Sequence, residues 1–171
     1  MCWSATNEPF GAMTKRAEMG QEIERKYLLV GDEWKSLGAG TLFGQGYLNS
    51  QKERVVRART MGDKAALTIK GITVGATRLE FEYDIPFADC ESLLELCEQP
   101  LIEKTRYKID FGGLVWEIDE FHGVNEGLVV AECELESEDQ QIDKPSWVGE
   151  EVTGDARYYN SNLIANPFNT W

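Results

Sequence analysis

The sequence predicts a mainly β (α+β) fold, an eight-stranded antiparallel closed barrel with a few covering helices. Three observations predict it. Eight short segments are β-rich or alternate with a period of two. Turns containing Gly, Asn or Asp separate them closely enough for hairpins. In most of these segments one parity is ionic and the other apolar, as on a sheet whose two faces meet different surroundings.

In chain order, residues 1–19 mix Cys, Trp, Ser, Asn, Pro and Gly without periodicity, and they are expected to form a poorly ordered tail. Residues 20–171 are expected to form a single domain. Its strands are expected near 21–30, 44–50, 53–60, 64–71, 76–85, 102–111, 114–121 and 128–137. The turns between them fall at Met61-Gly62-Asp63, Gly71 to Gly75, Gly112-Gly113 and Asn125-Glu126-Gly127. A helix is expected over 87–99, where Leu93, Leu94, Leu96 and Cys97 form an apolar stripe. Shorter helices are expected at 32–37 and at 153–165, the second with Thr153 as N-cap.

Composition narrows the function. The 171 residues are 42% hydrophobic and 27% charged, an ordinary globular balance. A net charge of −13 opposes binding to nucleic acid or anionic membranes, so neither is expected as a partner. No apolar run approaches the roughly 20 residues of a membrane span. Cys2, Cys90, Cys97 and Cys133 lack zinc-site spacing and are expected to be thiols of a cytoplasmic protein. With His122 as its single histidine and no phosphate-binding glycine loop, the chain must rest any catalysis on carboxylates, Lys, Arg, Tyr and metals.

The ionic parity is segregated by sign. Glu22/Glu24, Glu80/Glu82, Glu117/Asp119 and Glu132/Glu134/Glu136 are acidic, whereas Arg57/Arg59 and Lys104/Arg106/Lys108 are basic. Lys26, Lys70 and Arg78 are further bases of this parity. A sheet selected for stability alone would interleave the signs. Paired carboxylates gain by holding a hard cation, and paired bases gain by holding a polyanion. With this parity turned into a barrel, nine acids face eight bases, far nearer neutrality than the whole chain. Divalent cations together with a polyphosphate complement such walls, while an apolar ligand or a long nucleic acid does not.

Glu22-Ile23-Glu24-Arg25-Lys26 resembles the E-x-E-x-K signature of the CYTH superfamily, the triphosphate tunnel metalloenzymes. The resemblance continues through Val56-Arg57-Ala58-Arg59, Leu67-Thr68-Ile69-Lys70-Gly71, Arg78-Leu79-Glu80-Phe81-Glu82, Glu103-Lys104-Thr105-Arg106-Tyr107, Trp116-Glu117-Ile118-Asp119 and Ala131-Glu132-Cys133-Glu134-Leu135-Glu136. It covers about residues 21–165 and is most like the short bacterial inorganic triphosphatases. It implies a barrel that binds a triphosphate inside a tunnel, with Mg²⁺ or Mn²⁺ and two ions expected. It further implies hydrolysis of inorganic tripolyphosphate to pyrophosphate and phosphate. The alternatives are a class IV type adenylate cyclase, a thiamine triphosphatase and a non-catalytic polyphosphate-binding module.

On this reading Glu22, Glu24, Glu132 and Glu134 are the main metal ligands, with Glu80, Glu82 and Asp119 in support. Lys26, Arg57, Arg59, Lys70, Arg78, Lys104 and Arg106 bind phosphate oxygens. Glu24, Lys70 and Lys104 are the candidate catalytic residues, and either lysine is placed to protonate the leaving group. Glu117 and Glu136 are expected at the rim, and Tyr47 is expected to pack or gate. Arg157, Tyr158 and Asn160 are candidates to plug one tunnel mouth. The outer apolar parity leaves room for a homodimer.

Overall fold

Period-two alternation places eight strands where they are expected, and a short ninth follows. The computed structural model describes residues 23–51, 53–72, 79–137 and 139–171. Its strands are β1 (Ile23–Leu29), β2 (Gly40–Asn49), β3 (Arg54–Met61), β4 (Lys64–Gly71), β5 (Glu80–Asp84), β6 (Ile102–Phe111), β7 (Leu114–Phe121), β8 (Val129–Leu135) and β9 (Val148–Glu151). Helix α1 spans Phe87–Glu95, and the short α2 spans Asn162–Ala165. The tail 1–19, Glu22 and Arg78 lie outside the described residues.

All neighbouring strands pair antiparallel, in the order β5-β4-β3-β2-β6-β7-β8-β1-β9. Residues of β1, β5 and β8 line one cavity together, so the sheet curls until its two flanks face each other. The expected barrel is therefore present in outline, but pairing among the described residues does not close it. Its edges are the five-residue β5 and the four-residue β9, and short edges limit unwanted pairing with other chains.

Glycines make the tight links. Gly112 and Gly113 take φ of 60° and 77° between β6 and β7, the left-handed pair that a two-residue hairpin turn requires. Gly46 has a different task. A Cβ there would lie 2.6 Å from Cys97 Cβ, so glycine lets the segment after α1 lie directly on β2.

Two apolar clusters cover the outer face. Tyr27, Trp34, Trp116, Ile118, Ala131, Cys133 and Trp147 form one. Trp34 reaches it from a 3-10 turn at Glu33–Ser36, where the helix over 32–37 is expected. Ala58, Ala65, Cys90 and Cys97 form the other, beneath α1. Helix α1 stops at Glu95 instead of residue 99, so Leu96 leaves the predicted stripe and is 73% exposed. The third cluster lies on the inner face. Ile102, Phe121, Leu128 and Val130 carry the same parity as the charged residues of β6, β7 and β8, and they pack against Val152, Tyr158 and Leu163. The C-terminal segment thus packs against the inner face of the sheet, and its Tyr159, Asn160 and Ser161 line the cavity. It does so with 3-10 turns at Ala156–Tyr158 and Phe168–Thr170 around α2, in place of one helix over 153–165. No helix among the described residues is long and apolar enough to cross a membrane.

Candidate active site

The ionic parity turns inward, as predicted. It lines a cavity of about 1040 Å³, large for a small-ligand site. Glu24 and Lys26 come from β1, Arg57 and Arg59 from β3, and Lys70 from β4. Glu80 and Glu82 come from β5, Lys104, Arg106 and Lys108 from β6, Glu117 from β7, and Glu132 and Glu134 from β8, with Glu136 just beyond it. Among the described residues these are seven carboxylates and seven cations, so the described lining is neutral while the chain carries −13.

Register sets the arrangement on the acidic side. Glu24 stands directly opposite Glu134, and Glu132 opposite Glu117. Like charges in facing positions destabilise a sheet, and here bases relieve them. The Lys26 ammonium lies between Glu24 and Glu132 and donates to both. Burial alone would lower the Lys26 pKa, but the two carboxylates outweigh it and hold the ammonium above its ordinary value. A cation bridging two carboxylates of neighbouring strands marks a place where these side chains already hold positive charge.

Lys104 and Asp119 form the floor of the site, each only 1% exposed. Asp119, expected among the metal ligands, does not line the cavity. Its oxygens accept from Lys104 Nζ and, at 2.6 Å each, from Arg106 Nε and Nη2. Burial would raise the Asp119 carboxyl, but Lys104 and Arg106 hold it below the usual carboxylate range. Burial is also the main influence on Lys104 and lowers it, helped by Arg106 and opposed by Asp119. Arg106 reaches Glu117 and Glu132 as well, so it joins β6, β7 and β8.

Across the cavity, Arg57 Nη2 donates to Thr68 Oγ1 at 3.1 Å, and that hydroxyl donates to Glu82 Oε2 at 2.9 Å. Arg59 Nη2 donates to the same Glu82 oxygen at 3.3 Å. Lys70 pairs with Glu80 at 2.9 Å. Burial, aided by the neighbouring Arg57, pushes Arg59 down to about 10. The buried Nε donors of Arg57 and Arg59 have no hydrogen-bond partner among the described residues. Buried donors left unpaired are costly, and an anion between the two guanidinium groups would satisfy them.

Each described site residue thus lies in one place, apart from Asp119, which sits just beneath it. Uncharged residues join them, and of these only Tyr47 and Asn160 are singled out by the sequence. Phe43, Gln45 and Tyr47 stand on the inward parity of β2, and the Tyr47 hydroxyl accepts from Gln45 Nε2 at 3.3 Å. Arg59, Lys104 and Arg106 all lie within 6.0 Å of the Phe43 ring centroid. Tyr159, Asn160 and Ser161 line the cavity from the C-terminal segment. Parity with Arg57, Arg59 and Lys70 is the signal that picks out the uncharged members.

The donor set suits a hard divalent cation, since carboxylates supply most of the oxygen donors in the described lining. Among the described residues, no three acids converge on a single point as they stand; they are drawn toward the bases.

Known proteins are similar to this chain in sequence and in fold. The CYTH domain family matches residues 20–162. A protein of Acetivibrio thermocellus named inorganic triphosphatase is 54% identical over 151 residues, 88% of this chain and 97% of that protein. A Nitrosomonas europaea protein of the same name is 38% identical over 146 residues, 83% of this chain and 95% of its own. The crystal structure of an inorganic triphosphatase superposes with a TM-score of 0.64 at 35% identity, covering 84% of this chain and 97% of that one. A Pyrococcus furiosus protein at 16% identity has a TM-score of 0.52, covering 69% of this chain and 80% of its own, a likeness of fold alone.

Proposed function

The chain belongs to the CYTH domain family, and on that premise we propose that it is a divalent-metal-dependent hydrolase of inorganic triphosphate. The carrying observation is the neutral lining in which carboxylates face carboxylates and bases stand beside bases. Such walls suit an anion that arrives together with its cations. The names of the relatives support the same reading.

In the free protein the acids and bases neutralise one another. We infer that substrate binding exchanges these internal pairs for external ones. Lys26, Arg57, Arg59, Lys70, Arg106 and, where it lies, Arg78 turn to phosphate oxygens. Glu22, Glu24, Glu132 and Glu134 hold two ions, Mg²⁺ or Mn²⁺, with Glu80 and Glu82 nearby. When bound, the ions supply charge neutralisation and Lewis-acid activation of water. The preplaced bases oppose the charge that develops as the phosphoanhydride bond breaks. Of the two candidate proton donors, Lys104 is the deeper and is anchored by Asp119, whereas Lys70 is paired with Glu80 nearer the edge. We assign proton donation to Lys104, and to Asp119 the anchoring of Lys104 and Arg106. The partner is then a small polyphosphate, with no nucleic acid or membrane. We further infer a homodimer through the outward face of β4 and β5.

The test is turnover of tripolyphosphate, ATP and thiamine triphosphate with Mg²⁺ or Mn²⁺, reading phosphate, pyrophosphate and cyclic AMP. Phosphate and pyrophosphate are expected mainly from tripolyphosphate, and Glu24→Gln is expected to lose about a hundredfold or more in kcat. Cyclic AMP from ATP would make the protein a cyclase. A melting temperature raised by tripolyphosphate without metal, and no turnover, would make it a binding module.

A further inference from the structure

Thr68 is fully buried in β4, on the inward parity it shares with Lys70. It stands between Arg57 of β3 and Glu82 of β5 in register, directly opposite each. A threonine hydroxyl has one proton to give and lone pairs to accept with. Here both capacities are used by charged side chains. Oγ1 accepts from Arg57 Nη2 at 3.1 Å and donates to Glu82 Oε2 at 2.9 Å. Arg57 Nη2 and Glu82 Oε2 are themselves 3.6 Å apart, so the hydroxyl carries the connection that their direct approach makes only loosely.

We infer that Thr68 is a positioning residue for the proposed reaction, fixing Arg57 and Glu82 relative to each other before substrate arrives. Arg57 and Arg59 are like charges two residues apart on one strand face, and Arg57 contributes to depressing Arg59. Glu82 accepts from Arg59 and lies beside Arg57, so its placement keeps the pair together. Without the hydroxyl, Arg57 loses an acceptor, and Glu82 loses the donor that aims it across β4. Arg57 would then meet the triphosphate from a scatter of rotamers, and that loss falls on substrate binding more than on the later bond cleavage.

The inference rests on the triphosphatase reading, and one experiment separates the two. Thr68→Val keeps the branched shape and strand preference but removes the hydroxyl, whereas Thr68→Ser keeps the hydroxyl and removes the methyl. Both are compared with wild type for KM and kcat on tripolyphosphate with Mg²⁺, for Kd by calorimetry, and for melting temperature. Thr68→Val is expected to raise KM and Kd about tenfold, with kcat changed less than about threefold. Thr68→Ser is expected to stay near wild type. Should the valine variant not fold, Thr68→Ala takes its place. An unchanged KM and Kd in the variant without the hydroxyl overturns the inference. So does a serine variant as impaired as the valine one, because packing of the methyl would then be the cause. A wild type that turns over nothing overturns the hydrolase reading instead, and the Kd comparison still decides the role of Thr68.

Discussion

Phe43 shows how an uncharged residue can organise charged ones. Its ring is 6% exposed, with Arg106 at 5.4 Å, Arg59 at 5.7 Å and Lys104 at 6.0 Å from its centroid. These cations repel one another, and the ring's negative faces offset part of that repulsion, by about 0.5–2 kcal/mol for each contact. Phe43→Leu keeps an apolar filler and removes the ring. It is expected to lower kcat/KM for tripolyphosphate about tenfold, while Phe43→Tyr stays within about threefold of wild type. Equal kinetics for the leucine variant would show that the ring only fills space. Sequence reading reached the charged neighbours and not Phe43. An acid or base on a strand parity announces itself, whereas Phe43, Gln45 and Thr68 look like ordinary strand residues until the register puts them beside Arg57, Arg59 and Lys104.

Among the elements, the C-terminal segment is the one whose form sequence reading mistook and whose place it partly foresaw. Residues 153–165 have enough apolar positions for a helix, but Gly154, at φ 80°, turns the chain before Ala156–Tyr158, and only Asn162–Ala165 is α-helical. β9 escaped notice because Val148-Gly149-Glu150-Glu151 has no alternation to read. The long hairpin strands β6 and β7 were legible to the residue, since ten and eight residues of period-two pattern flank a Gly-Gly turn. Leu163 tests the importance of the segment. It is fully buried against the inner face. Leu163→Ala is expected to cost about 3 kcal/mol, seen in urea as a lower midpoint with an unchanged m value. A loss below about 0.5 kcal/mol would mean that the segment merely rests on the domain.

At the scale of the whole molecule, the outward face of the β5 edge stands apart. Ile69, Leu79, Phe81 and Tyr83 lie together there, each between 38% and 54% exposed. They expose on the order of 400 Å² of apolar surface, close to the non-polar share of a standard interface burying about 800 Å² per partner. In the proposed homodimer, a second copy of the chain would meet the first about a twofold axis and cover this face with its own equivalent. Light scattering after gel filtration is therefore expected to give twice the chain mass, and Phe81→Lys is expected to give the single-chain mass. A wild-type monomer at high micromolar concentration would rule this contact out. Barrel closure was the part of the architecture that alternation left unreadable. Period-two patterning says which face a residue takes, but only the length and pairing of β5 and β9 decide whether the ends of the sheet join.

The bases that line the cavity have a consequence for traffic. On the proposed reading, phosphate and pyrophosphate carry the same oxygens as the substrate they come from. A product that lingers competes with the next triphosphate for the same guanidinium groups, so the pace of turnover is bounded by how quickly those groups are released.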